Sequence, residues 1–191
     1  MKRIFYFIVT ITLISVLSLP SLIFAKEPKN DYIVFRGGMY SPGNDDVKDY
    51  FDPGINLEFA YGTWTSKYLG VELGIGFFKT QSNKDFPIET TVTFGDIFYN
   101  GKVRYPAGRL EIYGGAGMGV YFSKVEARAF GISNSNMETN YGFQVVAGGN
   151  VDIRQDLFVG IEGKYLWTKS DEIDARFDGF TMSAIVGTRF W

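Results

Sequence analysis

The sequence predicts an all-β protein, an eight-stranded antiparallel up-and-down transmembrane β-barrel. Three observations carry this. After residue 25 apolar side chains recur at every second position, and no segment carries a helical apolar stripe of useful length. Eight such stretches follow one another, joined by alternately long and short connections. One parity of each stretch is bulky, apolar and nearly free of charge, whereas the other is mostly glycine with one or two charges. Period two places successive side chains on opposite faces of a strand, so the two faces meet different surroundings. The composition agrees, with 18 Phe, 12 Tyr and 23 Gly against 6 Pro. Aromatic residues suit strands, and glycine suits places where backbones bend or approach closely.

The first 25 residues differ in kind. Lys2 and Arg3 give a positive start, Ile4 to Ser18 is almost wholly apolar, Pro20 breaks the run, and Ala25 precedes the charged KEPKND. This pattern is that of a secretory signal peptide cut after Ala25, leaving a domain of residues 26–191. A transmembrane anchor is the alternative, but the run falls short of the ~20 residues a spanning helix needs.

The strands follow in order. The first, Tyr32–Tyr40, sets Ile33, Phe35 and Met39 against Arg36 and Gly38. Beyond a loop with Pro42-Gly43, the second, Gly54–Trp64, sets Ile55, Leu57, Phe59 and Tyr61 against Asn56, Glu58, Ala60 and Gly62. Thr65–Tyr68 is a short turn. The third, Leu69–Lys79, sets Leu73, Ile75 and Phe77 against Glu72, Gly74 and Gly76. After the polar stretch Thr80–Pro87 comes the fourth, Glu89–Tyr105, the least regular. Ile97, Tyr99 and Val103 oppose Phe98, Asn100 and Lys102, but Val92 and Phe94 fall on the polar parity. Either a bulge near Gly95-Asp96 resets the register, or those two side chains point inward.

Pro106–Arg109 is a tight turn. The fifth strand, Leu110–Phe122, alternates Ile112, Met118 and Val120 with Glu111, Gly117 and Tyr121. Ser123–Asn140 is expected to be the longest loop. The sixth, Tyr141–Ile153, sets Phe143 and Val145 against Gln144 and Asp152. Arg154 to Asp156 turn the chain into the seventh, Leu157–Trp167, with Val159 and Ile161 against Glu162 and Lys164. A charged loop, Thr168–Asp178, leads to the eighth, Gly179–Trp191. There Phe180, Met182, Ala184, Val186 and Phe190 share one parity, while Thr181, Ser183, Gly187 and Arg189 share the other with Ile185. A last strand left in an open sheet would carry an unpaired edge, so it is expected to pair with the first and close the barrel.

An even strand count, short turns at one end and long loops at the other are the layout of a barrel in the outer membrane of a Gram-negative bacterium. A soluble lipocalin-like barrel alternates as well, but its outward face must be water-soluble. The glycine-rich parity here is too bare for that, and the charge-free parity carries aromatics near its ends, as lipid-facing walls do.

Leu57–Phe78, Leu110–Phe122 and Asn150–Trp167 resemble the hairpins of the small outer-membrane barrels of the OmpW and OmpX/OmpA type. The likeness is strongest to outer membrane protein W, whose fifth strand has a similar Y-x-GAG pattern and whose chain ends in a similar aromatic Gly-x-Arg-Phe. It extends over most of Tyr32–Phe190. The resemblance implies a narrow, partly hydrophobic lumen that binds or passes small apolar molecules. It also implies that the terminal aromatic strand is read by the barrel insertion machinery. Trp191 follows the Phe that normally ends such chains, so Phe190 or Trp191 fills that role.

The charges of the polar parity balance: Arg36, Lys102, Arg104, Lys164 and Arg189 against Glu58, Glu72, Glu111, Asp152 and Glu162. An eight-stranded barrel is just wide enough to be filled by side chains, and buried charges must pair. An internal salt-bridge plug is expected, low in the barrel because Glu72, Arg104, Glu111, Asp152 and Arg189 lie toward the short-turn end. A gated polar path is the functional alternative. The apolar exceptions Phe78, Val92, Phe94, Tyr121, Val146 and Leu166 lie toward the loop end. They are expected either to form a cup for a small hydrophobic ligand, open to the outside and floored by the plug, or simply to pack the upper barrel.

Catalysis has little to draw on. The chain lacks His and Cys, which removes the commonest general base, thiolate metal sites and disulfides. Glu58 and Glu162 as a carboxylate pair are explained more simply by ion pairing. Gly115-Ala-Gly117-Met-Gly119 lacks the spacing and following helix of a nucleotide loop. Asp45-Asp46 and Asp171-Glu172 with Asp174 are either a loop Ca²⁺ site or solvated charge. Lys48, Arg128 and Arg176 are placed to meet lipopolysaccharide phosphates. A net charge of -2 gives no field for nucleic acid. The expected protein is a monomer without cofactor or enzymatic activity, surrounded by outer-membrane lipid and lipopolysaccharide. It either binds or passes small hydrophobic molecules, or serves as a structural or adhesive barrel with an inert lumen.

Overall fold

The computed structural model describes residues 30–43, 51–82, 89–129, 132–169 and 178–190. The first 25 residues, Trp191, and the loop residues Asp45, Asp46, Lys48, Asp171, Glu172, Asp174 and Arg176 lie outside them. Eight strands run β1 (Asp31–Pro42), β2 (Gly54–Trp64), β3 (Leu69–Gln81), β4 (Glu89–Ala107), β5 (Leu110–Ala129), β6 (Ile132–Asp152), β7 (Leu157–Lys169) and β8 (Gly179–Phe190). Each pairs antiparallel with its sequence neighbours. β1 pairs with β8 from Asp31↔Phe190 to Pro42↔Gly179, so the sheet closes and that seam has no free edge.

Alternation sorts the side chains as the two environments require. Phe35, Phe59, Ile75, Ile97, Met118, Phe143, Ile161 and Met182 point outward and are exposed, whereas Arg36, Asn56, Glu72, Asn100, Gln144 and Glu162 are buried inside. The wall is thus apolar without and keeps its buried charges within, the reverse of a water-soluble barrel. Tyr61, Tyr68 and Tyr105 are exposed near the short-turn rim, and Tyr165 and Trp167 stand 4.6 Å apart toward the other. Aromatic residues favour such interfacial levels.

The three short turns share one rim. In the first, Ser66 Oγ accepts from the amides of Tyr68 and Leu69 at 3.2 and 3.0 Å, and Thr65 Oγ1 donates to the Leu69 carbonyl at 3.1 Å. In the second, Gly108 takes φ 68°, a left-handed conformation that other residues resist. In the third, the amides of Ile153 and Arg154 both donate to the Leu157 carbonyl.

One expectation needs correction, and one alternative is decided. The stretch 123–140 is not mainly a loop. β5 and β6 run on to Ala129 and from Ile132, paired from Ser123↔Glu138 to Ala129↔Ile132, and β4 accompanies them to Glu89↔Arg128. Arg128 accordingly lies in a strand rather than a loop. A three-stranded sheet therefore projects past the barrel wall on the long-loop side. The loop reading followed the polar run Ser133–Asn140 and passed over the alternation of Val125, Ala127 and Ala129 with Lys124, Glu126 and Arg128. Of the two readings of Val92 and Phe94, the inward one holds and the bulge near Gly95-Asp96 is absent. The β4–β5 register runs unbroken through Gly95↔Phe122 and Asp96↔Tyr121, and Val92 and Phe94 are buried inside.

Candidate functional site in the lumen

The lumen is filled in layers. At the short-turn mouth, Arg104 Nη1 donates to Glu111 at 2.8 Å, Arg189 lies 3.5 Å from Glu111, and Arg189 also pairs with Asp152. A cavity of ≈ 260 Å³ opens beside them. Arg104 and Arg189 stack over Trp64 and Phe158 at 4.3 and 4.6 Å, joining the mouth to an apolar layer that includes Tyr32 and Val34. The void among these side chains is only ≈ 10 Å³, about one water.

Above them, near the middle of the strands, sits the central charge layer. Arg36 Nη2 donates to Glu72 at 2.7 Å, and its Nε and Nη1 lie 3.0 Å from Glu162 and 3.8 Å from Glu58. Those two nitrogens make no directed hydrogen bond, so their pairing is electrostatic. Lys102 lies 2.7 Å from Glu72 and 3.3 Å from Glu162, and Lys164 pairs with Glu58. Neutral groups complete the carboxylates. Tyr32 and Tyr113 donate hydroxyls to Glu72 and Glu162 at 3.0 and 2.8 Å, and Asn56 and Asn100 donate amides to Glu58 and Glu72. Gln144 donates to Asn100 at 2.7 Å and accepts from the Tyr121 hydroxyl at 3.1 Å. Such a net holds charge in a dry interior only because nearly every lone pair and proton is used.

Toward the loops the lumen turns apolar. Tyr40, Phe78, Val92, Phe94, Tyr121 and Leu166 form one buried cluster, with Phe51 against it. Phe78 stacks on Phe94 with centroids 4.3 Å apart and on Tyr40 at 4.5 Å. These rings are buried and pack against one another.

The ten charged residues read from the polar parity all line the interior, but in two groups at different heights. The plug is not confined to the low end: Arg36, Glu58, Glu72, Lys102, Glu162 and Lys164 occupy the middle. Of the six apolar residues, Val146 stands apart from the cluster, in register with Lys164 and Gly115. Phe190 ends β8 opposite Asp31, its ring 6.2 Å from Tyr61.

Sequence reasoning missed Asp96. It is 5 % exposed, on the inward parity of β4 beside Tyr121. Only the bulge reading would turn it outward; uninterrupted alternation from Phe98 and Lys102 places it inside. Gly76 makes its place, since a Cβ there would land on the Asp96 carboxylate. Gly76 also stands opposite Glu58, so Glu58 and Asp96 flank one bare position. Among the described residues no group of three or more potential ligands is placed to hold a metal.

Comparison with known proteins agrees with this architecture. The profile of the outer membrane protein beta-barrel domain matches residues 9–190. No curated protein sequence matches the chain. Solved structures do. Outer membrane protein OprG from Pseudomonas aeruginosa superposes with a TM-score of 0.62 at 13% identity, covering 86% of this chain and 97% of that one. Neisserial surface protein A gives 0.54 at 9% identity, covering 86% and 99%. Ail, the attachment invasion locus protein of Yersinia pestis, in complex with the heparin analogue sucrose octasulfate, gives 0.52 at 13%, covering 87% and 100%. At such identities the likeness is one of fold. With an apolar outer wall, a closed eight-stranded sheet and a family match over nearly its whole length, the chain belongs to the outer membrane protein beta-barrel domain family.

Proposed function

We propose that this barrel binds small apolar molecules in its upper lumen, within the cluster of Tyr40, Phe78, Phe94, Tyr121 and Leu166, and that the central ion-paired layer is the floor of that site. The carrying observation is the layering itself, an aromatic lining directly above a cross-linked charge net. Apolar side chains with a few polar groups at one end suit a small hydrophobic ligand. Entry requires the rings to part, and the floor opposes free passage of ions, because opening it would strand buried charges. The signal peptide, the likeness to outer membrane protein W, the role of Phe190 or Trp191 in insertion, the monomeric state and the lack of catalysis belong to the same reading.

The test is a titration with naphthalene in neutral detergent, followed by tyrosine and tryptophan fluorescence, beside planar-bilayer recordings. Saturable single-site binding with no steady ion conductance is expected. Steady conductance would overturn the floor, and unsaturable partitioning would overturn the site.

A second reading, a structural or adhesive barrel, is favoured by the projecting sheet of β4, β5 and β6. It extends paired backbone beyond the wall without using the lumen.

A further inference from the structure

The central layer is short of one cation. Its positive groups are Arg36, Lys102 and Lys164, and its carboxylates are Glu58, Glu72, Asp96 and Glu162, each no more than 5 % exposed. The three cations are already engaged: Arg36 with Glu72, Glu162 and Glu58, Lys102 with Glu72 and Glu162, and Lys164 with Glu58. Among the described residues Asp96 has no cation within salt-bridge distance: Lys164 acts on it across the layer but is held by Glu58, and Glu58, its neighbour across Gly76, adds a like charge. An uncompensated carboxylate in so enclosed a place is costly, and a bound positive charge relieves it.

Position says which kind of cation. Asp96 lies two residues below Phe94 on the same inward face and opposite Tyr121, at the boundary between the charge layer and the aromatic cluster. A group entering from above meets ring faces first and a carboxylate at the bottom. Aromatic faces and a carboxylate together recognise an organic ammonium: the rings attract its diffuse charge and cover its methyl groups, and the carboxylate neutralises it. A small hydrated metal ion would gain little from the rings, and a neutral hydrocarbon would leave the carboxylate unanswered.

We propose that the upper-lumen site takes small apolar molecules bearing one alkylammonium group, with Asp96 as the residue that selects them. This rests on the reading of the upper lumen as an apolar binding site and narrows its ligand class. The ammonium supplies the charge the central layer lacks, and the apolar part lies among Tyr40, Phe78 and Phe94.

The experiment compares benzyltrimethylammonium with neopentylbenzene, the same shape with carbon for the charged nitrogen. Both are titrated calorimetrically into the full barrel in neutral detergent. The native protein is expected to favour the ammonium by about tenfold or more, the worth of one charge-assisted contact. Asp96→Asn is expected to erase that preference, and Asp96→Glu to keep most of it. The preference should persist in 0.2 M KCl, since a buried pair is weakly screened. Heat-modifiable electrophoretic mobility checks that each variant is a folded barrel. Equal affinities in the native protein, a preference surviving Asp96→Asn, or one abolished by KCl would overturn the role of Asp96 and leave apolar binding standing. If neither compound binds, the upper-lumen site itself fails.

Discussion

The barrel carries two ion-paired groups that share chemistry and differ in surroundings. At the mouth, Arg104, Arg189, Glu111 and Asp152 have side chains 8–33% exposed; in the centre, Arg36, Glu58, Glu72, Lys102 and Glu162 have side chains no more than 3% exposed. The mouth pairs can exchange partners with water, whereas the central pairs have only one another and the hydroxyls and amides of Tyr32, Tyr113, Asn56 and Asn100. An ion pair is therefore not a fixed quantity of stability. In water its loss is nearly compensated by hydration, and in a sealed lumen its loss leaves a bare charge.

Truncation of the central anion should break this contrast most sharply. Glu72→Ala takes a partner from Arg36, Lys102, Tyr32 and Asn100 together. It should cost about 3–5 kcal/mol in urea unfolding from detergent or lipid, read by tryptophan fluorescence. Glu111→Ala at the mouth removes contacts to both Arg104 and Arg189 but leaves them reachable by water. About 1 kcal/mol is expected. A cost equal to that of Glu72→Ala would show the mouth to be as dry as the centre. The smallest effect belongs to Asp152→Asn, at the most exposed carboxylate of the mouth. About 0–1 kcal/mol is expected, falling toward nothing between low salt and 1 M salt, while the Glu72→Ala deficit stays constant.

Much of this was legible in the sequence, for a physical reason. A membrane wall that separates lipid from a polar interior forces every residue to declare its side, so alternation revealed all eight strands and ten of the lumen charges. The signal fails where that demand lapses. Ser133–Asn140 is almost wholly polar, so its strand reads as a loop. Val92 and Phe94 are apolar on the inward side, and explaining them by a one-residue slip would have turned Asp96 outward, since a slip of one reverses every side chain. The division of the charges into two heights was not legible, because pairing across a barrel depends on which strands stand opposite one another. The six-residue cup was legible as a cluster but for Val146, whose neighbours are fixed by strand stagger.

The seam between β1 and β8 has a consequence for assembly. Every other strand pair joins sequence neighbours through a hairpin, but Asp31↔Phe190 and Pro42↔Gly179 unite the two extremities of the barrel. Joining such distant segments carries the largest chain-entropy cost and belongs to the slow end of folding. Until then both β1 and the strand last added are unsatisfied templates for any passing strand, so the open sheet needs both edges shielded until β8 meets β1.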